Sequence, residues 1–227
     1  MAKIINSILP AVIVLAMPNF GVGSRAAAAE KAGNPQYNEY DVKAAFLYNF
    51  IKFAEWPADK LAEPNTLAIG ILGENPFGKA FENIKGKTVQ NRKVVIKQFG
   101  KFSELCKDTA KDKTKYCANA QSLRQCHLLF ICKSEQPYFE QIMGTISEAG
   151  VLTVGENEGF LEAGGIINFV PNAEKAVFEI NLTVAKKEKI RISSQVLRLA
   201  RRVIGAETGR QFETESLFAR LVCLKEQ

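Results

Sequence analysis

The sequence predicts a single α/β domain, in which a mostly parallel or mixed β-sheet carries helices on both faces. Short apolar segments typical of strands alternate with amphipathic segments of helical spacing over most of the chain. The segment Leu128–Cys132 (LLFIC) is apolar throughout, as expected for a strand that is buried on both faces of a sheet. A continuous apolar strand of this kind favours a mostly parallel sheet that is covered by helices on both faces.

A long helix over Glu39–Phe53 opens the predicted domain. Asn38 precedes it and is a suitable N-cap residue, while Trp56-Pro57 ends it because the residue before proline avoids helical geometry. Its bulky side chains recur at helical spacing and predict a buried stripe: Val42, Phe46, Phe50 and Phe53. Tyr48 lies off this stripe, so we expect it nearer the surface. We expect the Trp56 indole to lie at a groove, where its N–H finds a partner.

The later elements follow from the same patterns and from their flanking residues. Asn75 and Pro76 suit the start of a short helix, Ser134 suits a helix N-cap, and Gly150 suits a helix end. The predicted strands are Thr66–Leu72, Lys93–Phe99, Leu128–Cys132, Val151–Val154, Ile166–Val170 and Val177–Leu182, the last two as a hairpin. The predicted helices are Phe77–Ile84, a turn over Phe102–Cys106, Gln136–Ala149, a helix that starts after Ser193 and runs to about Ile204, and a docking helix in the extension 205–227, where Leu217, Phe218, Leu221 and Val222 have helical spacing.

The first 29 residues predict a secretory signal peptide. Lys3 is followed by the mainly apolar segment Ile4–Met17 and by the small residues Ala26–Ala29. The apolar segment is shorter than the roughly 20 residues that a membrane-spanning helix needs. We therefore expect cleavage near Ala29, export to a bacterial periplasm and a polar leader over residues 30–38, with an uncleaved anchor as the alternative.

The charge of the chain argues against a nucleic-acid partner. The formal net charge is +6, and it becomes +4 without residues 1–29, which hold Lys3 and Arg25 and no acidic residue. The basic residues are interleaved with acidic ones, whereas a nucleic-acid-binding surface gathers them beside aromatic residues. The mild positive charge favours an acidic face on a protein partner.

Five cysteines follow the predicted cleavage site, and an exported chain is free to form disulfides. Cys106 and Cys117 bracket a polar segment that has the composition of a surface loop. A bridge between these two, or from either to Cys126, would tie that loop down. The odd number of cysteines leaves at least one unpaired or bonded to another chain, as in a homodimer. Because the spacing is not that of a zinc site and only one histidine is present, we expect neither a metal nor a cofactor.

No catalytic constellation is found in the sequence. The single histidine, His127, adjoins Cys126 on a predicted strand, where neighbouring side chains point to opposite faces and cannot form a nucleophile–base pair. We therefore expect a structural or surface histidine. Glu156, Glu158 and Glu179 are not paired by their spacing and are expected on a solvated face. The sequence assigns no catalytic residue and predicts a protein without enzymatic activity.

One group of residues is a candidate site for a small anionic effector. Arg191, Ser193 and Ser194 precede the last predicted helix, and a helix N-terminus attracts anions through its free N–H groups. Asn181, at the end of the preceding strand, is expected to face the same crevice. The alternative is an ordinary serine N-cap beside a surface arginine.

From Tyr40 to Val203 the chain resembles the YfiR-like family of periplasmic proteins. The resemblance is carried in order by YDVKAAFLYNFIKFAEWP, ILGENPFG, CHLLFI, GVLTVGE, GGIINFV, FEINL and ISSQVLRLA. It implies an α/β fold over residues 39–204 and a soluble periplasmic repressor. Such a repressor binds the sensor region of an inner-membrane diguanylate cyclase, which limits cyclic-di-GMP and biofilm formation. The cysteine pairs of the family pattern are missing, since Ile69 and Ile71 occupy the first strand, so its redox control is not carried over.

The predicted function is thus that of an exported regulator, which represses a membrane-bound diguanylate cyclase by binding it. A small-molecule effector would change its activity only by binding the two conformational states with different affinity. The alternative is a periplasmic module that binds and senses a small molecule and has no cyclase partner.

Overall fold

The computed structural model describes residues 38–62, 65–106, 121–171 and 176–206. These residues all belong to one compact unit, Tyr37–Gln227. The predicted signal peptide, nearly all of the leader, Cys117 and most of the C-terminal extension lie outside the described residues. Cleavage near Ala29 and the domain boundaries therefore stay predictions. In the described part of the chain, no helix is both long enough and apolar enough to cross a membrane.

The elements alternate as the sequence predicts. The helices are α1 (Glu39–Phe53), α2 (Phe102–Leu105), α3 (Gln121–Arg124), α4 (Phe139–Ile146), α5 (Leu182–Lys187) and α6 (Ser194–Leu197), with a 3₁₀ helix over Lys133–Tyr138. The strands are β1 (Ala54–Glu55), β2 (Thr66–Leu72), β3 (Thr88–Val89), β4 (Arg92–Phe99), β5 (Leu128–Ile131), β6 (Leu152–Gly155), β7 (Ile167–Val170), β8 (Val177–Asn181), β9 (Arg191–Ile192) and β10 (Arg202–Ile204).

Within the described residues, eight strands form a mixed sheet in the order β10-β8-β7-β6-β5-β2-β4-β3. The strands from β4 through β2, β5 and β6 to β7 are parallel, and β2 pairs with β4 from Thr66↔Lys93 to Leu72↔Phe99. The predicted hairpin is confirmed, because β8 runs antiparallel to β7. Outside this sheet, β1 pairs with β9. The structure thus confirms the predicted α/β class.

Apolar clusters lie on both faces of the sheet. On the first face, α1 packs its buried stripe on the sheet, and the rings of Phe50 and Phe178 meet edge to face with centroids 5.0 Å apart. On the second face, Phe139 of α4 contacts Phe160 at 5.2 Å. Every residue of β5 is buried, which confirms the two-sided strand expected from its apolar sequence.

The helix predicted over Phe77–Ile84 is wrong as a backbone assignment. Phe77, Phe81 and Ile84 are buried as the spacing predicts, but successive turns connect them. Gly78 adopts φ +50°, which a continuous right-handed helix does not allow. The Asn75 side chain accepts the Phe77 N–H at 2.9 Å and starts this series of turns.

The helix predicted from Ser193 to Ile204 is also wrong in its second half. Ser193 caps the short helix α6, whose last residue is Leu197, and the chain then forms β10 beside β8. The β-branched residues Val203 and Ile204 suit a strand, and β10 covers what would otherwise be an open sheet edge.

The helix predicted over Gln136–Ala149 is shorter in the structure and is preceded by the 3₁₀ helix. Pro137 lies inside this 3₁₀ segment, where it lacks the N–H that an α-helical bond would need. The sequence pattern predicts a strand up to Leu182, whereas in the structure β8 ends at Asn181 and α5 begins at Leu182. The Asn181 side chain caps α5 by accepting the Val184 N–H at 3.2 Å.

Candidate functional site

The order of the parallel strands creates a topological switch point between β2 and β5. The connection from β2 to β4 packs Phe77 and Phe81 into the first apolar cluster, whereas the connection from β4 to β5 places Phe102 and Leu123 in the second. The two connections therefore leave on opposite faces of the sheet. Open α/β sheets commonly bind ligands in the crevice outside the carboxyl ends of such strands.

In this protein, side chains of the chain itself fill that crevice. Ser134 Oγ accepts the Glu74 N–H at 3.1 Å and donates to Glu135 Oε1 at 3.0 Å. The other carboxylate oxygen of the buried Glu135 accepts the Phe102 N–H at 2.9 Å. Gly73 has φ +96°, and a Cβ there would lie 2.5 Å from Ser134 Oγ. The crevice therefore has no room left at this point, and Ser134 acts here as a link between two loops, not as the predicted helix cap.

A half-buried ion cluster follows β6 at the same edge of the sheet. Lys43 Nζ lies 2.5 Å from Glu156 Oε2 and 2.5 Å from a carboxylate oxygen of Glu39. The Tyr40 hydroxyl donates to Glu156 at 3.3 Å. The side chains of Lys43 and Glu156 are only 7% and 9% exposed, whereas that of Glu39 is 67% exposed. The expectation that Glu156 lies on a solvated face is therefore wrong.

Electrostatics favours the charged form of Lys43. Burial lowers the pKa of Lys43, but hydrogen bonds to Glu156 and Glu39 outweigh it and raise the pKa above its usual value. Burial and the charge of Glu156 also raise the pKa of Tyr40. Lys43 therefore stays protonated, and the cluster pins the first turn of α1 to the end of β6. The sequence signal for this contact is Lys43, a charged residue on the buried side of α1, which the predicted stripe leaves out.

Asn157, the residue after Glu156, lies at the same edge of the sheet and is hydrogen-bonded to β7. Asn157 donates its backbone N–H to Asn168 Oδ1 at 3.1 Å, and Asn168 Nδ2 donates back to the Asn157 carbonyl at 2.8 Å. The Oδ1 atom of Asn157 is buried and has no hydrogen-bond partner among the described residues. The Asn157–Asn168 pair holds the start of the following turn against β7.

The structure gives the predicted anion-site residues separate partners. Arg191 is exposed and lies 3.3 Å from Glu55, its neighbour across the β1–β9 pair. Ser193 Oγ accepts the Gln195 N–H at 3.3 Å as an ordinary N-cap, and Ser194 is exposed. Asn181 caps α5 and also donates to the Leu161 carbonyl at 3.4 Å. These contacts match the alternative of a serine cap beside a surface arginine, and anion binding at these residues stays a prediction.

The cysteines divide into buried thiols and a candidate bridge. Cys126 and Cys132 are free and buried, so the suggested disulfide to Cys126 is wrong for this structure. Burial raises the pKa of the Cys126 thiol to about 11, which leaves it protonated near neutral pH. Cys117 lies outside the described residues, and a Cys106–Cys117 bridge stays a prediction.

His127 is a core histidine. Its side chain accepts the Ala68 N–H on Nδ1 at 3.1 Å, and Trp56 donates its indole N–H to the His127 carbonyl at 3.2 Å. Trp56 is buried, and so it does not lie at an open groove. Lys60 lies close by and donates to the carbonyls of Arg124 and Ala149. Burial lowers the pKa of Lys60 to about 8.

The remaining acidic candidates have structural or solvated positions. Glu179 is buried, so the expectation that it lies on a solvated face is also wrong. It accepts from Arg201 and Arg202, each of which contacts one carboxylate oxygen at 2.5 Å. Burial raises the pKa of Glu179, but the hydrogen bonds from both arginines outweigh it and lower the pKa. Glu158 is exposed, as predicted for a solvated face. Among the described residues, no three His, Cys, Asp or Glu side chains lie together as a metal site would require.

Comparison with known proteins yields one family. A family model described as YfiR/HmsC-like matches residues 40–201, most of the chain. No curated protein matches the chain. Two solved structures are similar to this chain at 14% sequence identity. One is a conserved domain protein from Vibrio cholerae O1 biovar El Tor, with a TM-score of 0.48 over 72% of this chain. The other is an ABC domain in complex with L-Trp from Streptococcus pneumonia, with a TM-score of 0.46 over 71% of this chain. The chain spans 60% of the length of each of these two proteins.

Proposed function

The chain belongs to the YfiR/HmsC-like family, and from this premise we propose that it binds and represses the periplasmic sensor region of a membrane-bound diguanylate cyclase. Proteins of this family are periplasmic regulators in cyclic-di-GMP signalling, and the family is regulatory rather than catalytic. The family match over residues 40–201 is the observation that carries the proposal. Under it, the protein is exported, its signal peptide is removed, and it acts by contact without turning over a substrate.

The crevice at the switch point is filled, which supports a function that the protein performs through its outer surface. Its usual ligand position is filled by the hydrogen-bonded pair Ser134 and Glu135. A protein partner does not need that crevice. By binding the inactive conformation of the cyclase better than the active one, the protein would shift the cyclase population toward the inactive state.

The charge distribution suggests which surface meets the partner. Between α5 and β10 the chain carries one acidic residue, Glu188, and seven basic ones, all exposed: Lys186, Lys187, Lys189, Arg191, Arg198, Arg201 and Arg202. Arg201 and Arg202 are paired with Glu179, and Arg191 with Glu55. Glu188 is buried and accepts the backbone N–H groups of Glu148 and Gly150.

Four exposed cations of this segment form no ion pair within the described residues: Lys186, Lys187, Lys189 and Arg198. We call three of these side chains, Lys186, Lys189 and Arg198, the basic surface. An acidic patch on the sensor region of the cyclase would complement it, and such complementarity mainly speeds association and sets specificity. Binding should therefore weaken as salt is added.

The test uses the mature chain and the isolated periplasmic region of a diguanylate cyclase, chosen from a gene next to the one that encodes this protein. We expect direct binding, and lower cyclic-di-GMP in cells that make both full-length proteins. The variant Lys186→Glu/Lys189→Glu/Arg198→Glu should bind about tenfold more weakly, which corresponds to about 1.4 kcal/mol. The matched control reverses three exposed lysines elsewhere, at positions 79, 85 and 97.

The outcomes separate the two parts of the proposal. If the wild-type chain neither binds the sensor region nor lowers cyclic-di-GMP, repression of a cyclase is wrong. If the wild type binds and both triple variants bind equally well, repression stands and the basic surface is not the contact. Recovery of a bound metabolite from the periplasm with no protein partner would instead support the small-molecule sensor.

A further inference from the structure

A surface groove of about 270 Å³ lies between α4, the turn after β6 and α5. Its lining is largely apolar, with Met143 and Ile146 from α4, Val151 and Ile166 beside the sheet strands, and Val184 from α5. The Thr153 hydroxyl, which also lines the groove, is already used because it accepts the Ile166 N–H at 2.9 Å. The groove therefore suits apolar side chains better than a charged ligand.

The described part of the chain ends beside α5, one of the helices that line this groove. Ile204, the last residue of β10, packs against the same buried cluster as Met143. The next residue, Gly205, lies against α5, since a Cβ there would be 2.2 Å from Thr183 Oγ1. Thr183 directly precedes Val184, which lines the groove. The described chain thus ends beside α5, the helix that contributes Val184 to the groove.

The composition of that segment matches the groove. Residues 207–227 carry apolar side chains at helical spacing: Leu217, Phe218, Leu221 and Val222. Ten residues, 207–216, separate the exit point from this stripe, and ten residues reach at most about 35 Å when fully extended. The segment holds four acidic and three basic residues, so its small net charge does not oppose docking beside Lys187 and Glu188.

We propose that the C-terminal segment 207–227 docks into this groove of its own molecule through Leu217, Phe218, Leu221 and Val222. The proposed occupant of the groove is therefore part of the same chain. The experiments distinguish it from a second copy of the protein or a different partner. Docking would shield Met143 and the neighbouring apolar lining from solvent and would hold α5 against α4.

Thiol labelling in the full-length mature chain tests the proposal. A cysteine introduced by Met143→Cys should react slowly while the segment is docked. Adding Leu217→Ser and Leu221→Ser should speed its labelling by about fivefold or more, the factor that corresponds to about 1 kcal/mol of lost docking. The control is Gln211→Ser in the same background, which leaves the apolar stripe intact. Peptide mass spectrometry separates this thiol from the natural cysteines, of which Cys126 and Cys132 are buried.

A second measurement does not depend on removing side chains. Ser147 lines the groove, so a cysteine from Ser147→Cys should form a disulfide with Cys223 within one molecule under mild oxidation. A cysteine from Lys79→Cys, at an exposed position in the turns after β2, should not form a disulfide with Cys223. Equal labelling rates in the stripe and control variants, or equal crosslinking from positions 147 and 79, would overturn the proposal. Protection or crosslinking that grows with protein concentration would also overturn it, because the occupant would then be a second copy.

Discussion

Lowering the pH from 7.5 to 5 should destabilise this fold by about 2 kcal/mol through one side chain, the imidazole of His127. The residue is 3% exposed, and its Nδ1 atom accepts the Ala68 N–H. The proton of the neutral ring therefore sits on Nε2, which is buried and has no partner among the described residues. Burial, together with the positive charge of Lys60, lowers the pKa of His127 from 6.5 to about 4.

The sign of the effect follows from proton binding. Between about pH 6.5 and pH 4 the unfolded chain binds this proton and the folded protein does not. The free energy of unfolding therefore falls as the pH is lowered through that window, and the contribution is fully present only above pH 6.5. At 1.36 kcal/mol per pKa unit the whole shift amounts to about 3 kcal/mol, of which about 2 kcal/mol is lost by pH 5.

Two assays test this reasoning. His127 is the single histidine of the chain, so its ring protons give an unambiguous NMR titration of the folded protein. Urea unfolding of the wild type and of His127→Asn between pH 7.5 and pH 5 gives the free energies. The asparagine keeps an acceptor for the Ala68 N–H but does not titrate, so its unfolding free energy should lose about 2 kcal/mol less over this range. A folded-state pKa near 6.5, or the same pH dependence in both proteins, would refute the buried neutral histidine.

Three further predictions concern packing, charge and redox state. Gly165→Ala should lower the free energy of unfolding by about 1–3 kcal/mol in urea, because its Cβ would lie 2.2 Å from the ring of the fully buried Phe160. Glu156→Gln should lower it by about 2 kcal/mol, since Lys43 would keep only the exposed Glu39 as a charged partner. Non-reducing peptide mapping of the exported protein should recover the peptides of Cys106 and Cys117 joined by a disulfide.

Each of these predictions has a control. Gly144→Ala in α4 meets nothing within 4 Å, so it should be neutral or stabilising. Glu158→Gln removes an exposed carboxylate and should leave stability within about 0.5 kcal/mol of the wild type. Alkylation of Cys126 and Cys132 should need unfolding, because both thiols are buried. A linked peptide that contains Cys126 would contradict the structure.

Local sequence patterns predicted the elements whose own residues show a clear apolar stripe, cap or apolar segment. The stripe of α1, its Asn38 cap and the apolar segment of β5 place these elements within one residue of the structure. The two helix predictions that are wrong share one weakness, because the length of each helix rests on apolar spacing alone. Phe77–Ile84 and the segment after Leu197 have apolar residues at helical spacing, but their backbone is decided by non-local contacts and by single residues such as Gly78.

The site was less predictable because its contacts join distant parts of the chain. Lys43 and Glu156 are 113 residues apart, and no spacing rule pairs them. In the same way, the β1–β9 pair uses Arg191 against Glu55, so the exposed arginine already has a partner that the sequence did not reveal. What the sequence did contain was Lys43, a lysine beside the predicted apolar stripe of α1, and a lysine buried there needs an acidic partner.

The groove and the basic surface both include residues of α5, but the residues differ, so we expect binding at one not to depend on the other. Val184 and Lys187 line the groove, whereas Lys186 belongs to the basic surface and is absent from the groove lining. The segment 207–227 has a small net charge, so its docking would change the potential around Lys186, Lys189 and Arg198 very little. The Leu217→Ser/Leu221→Ser variant should therefore bind the sensor region of the cyclase with the salt dependence of the wild type. A loss of binding in that variant, with the basic side chains intact, would mean that the docked segment itself forms part of the contact.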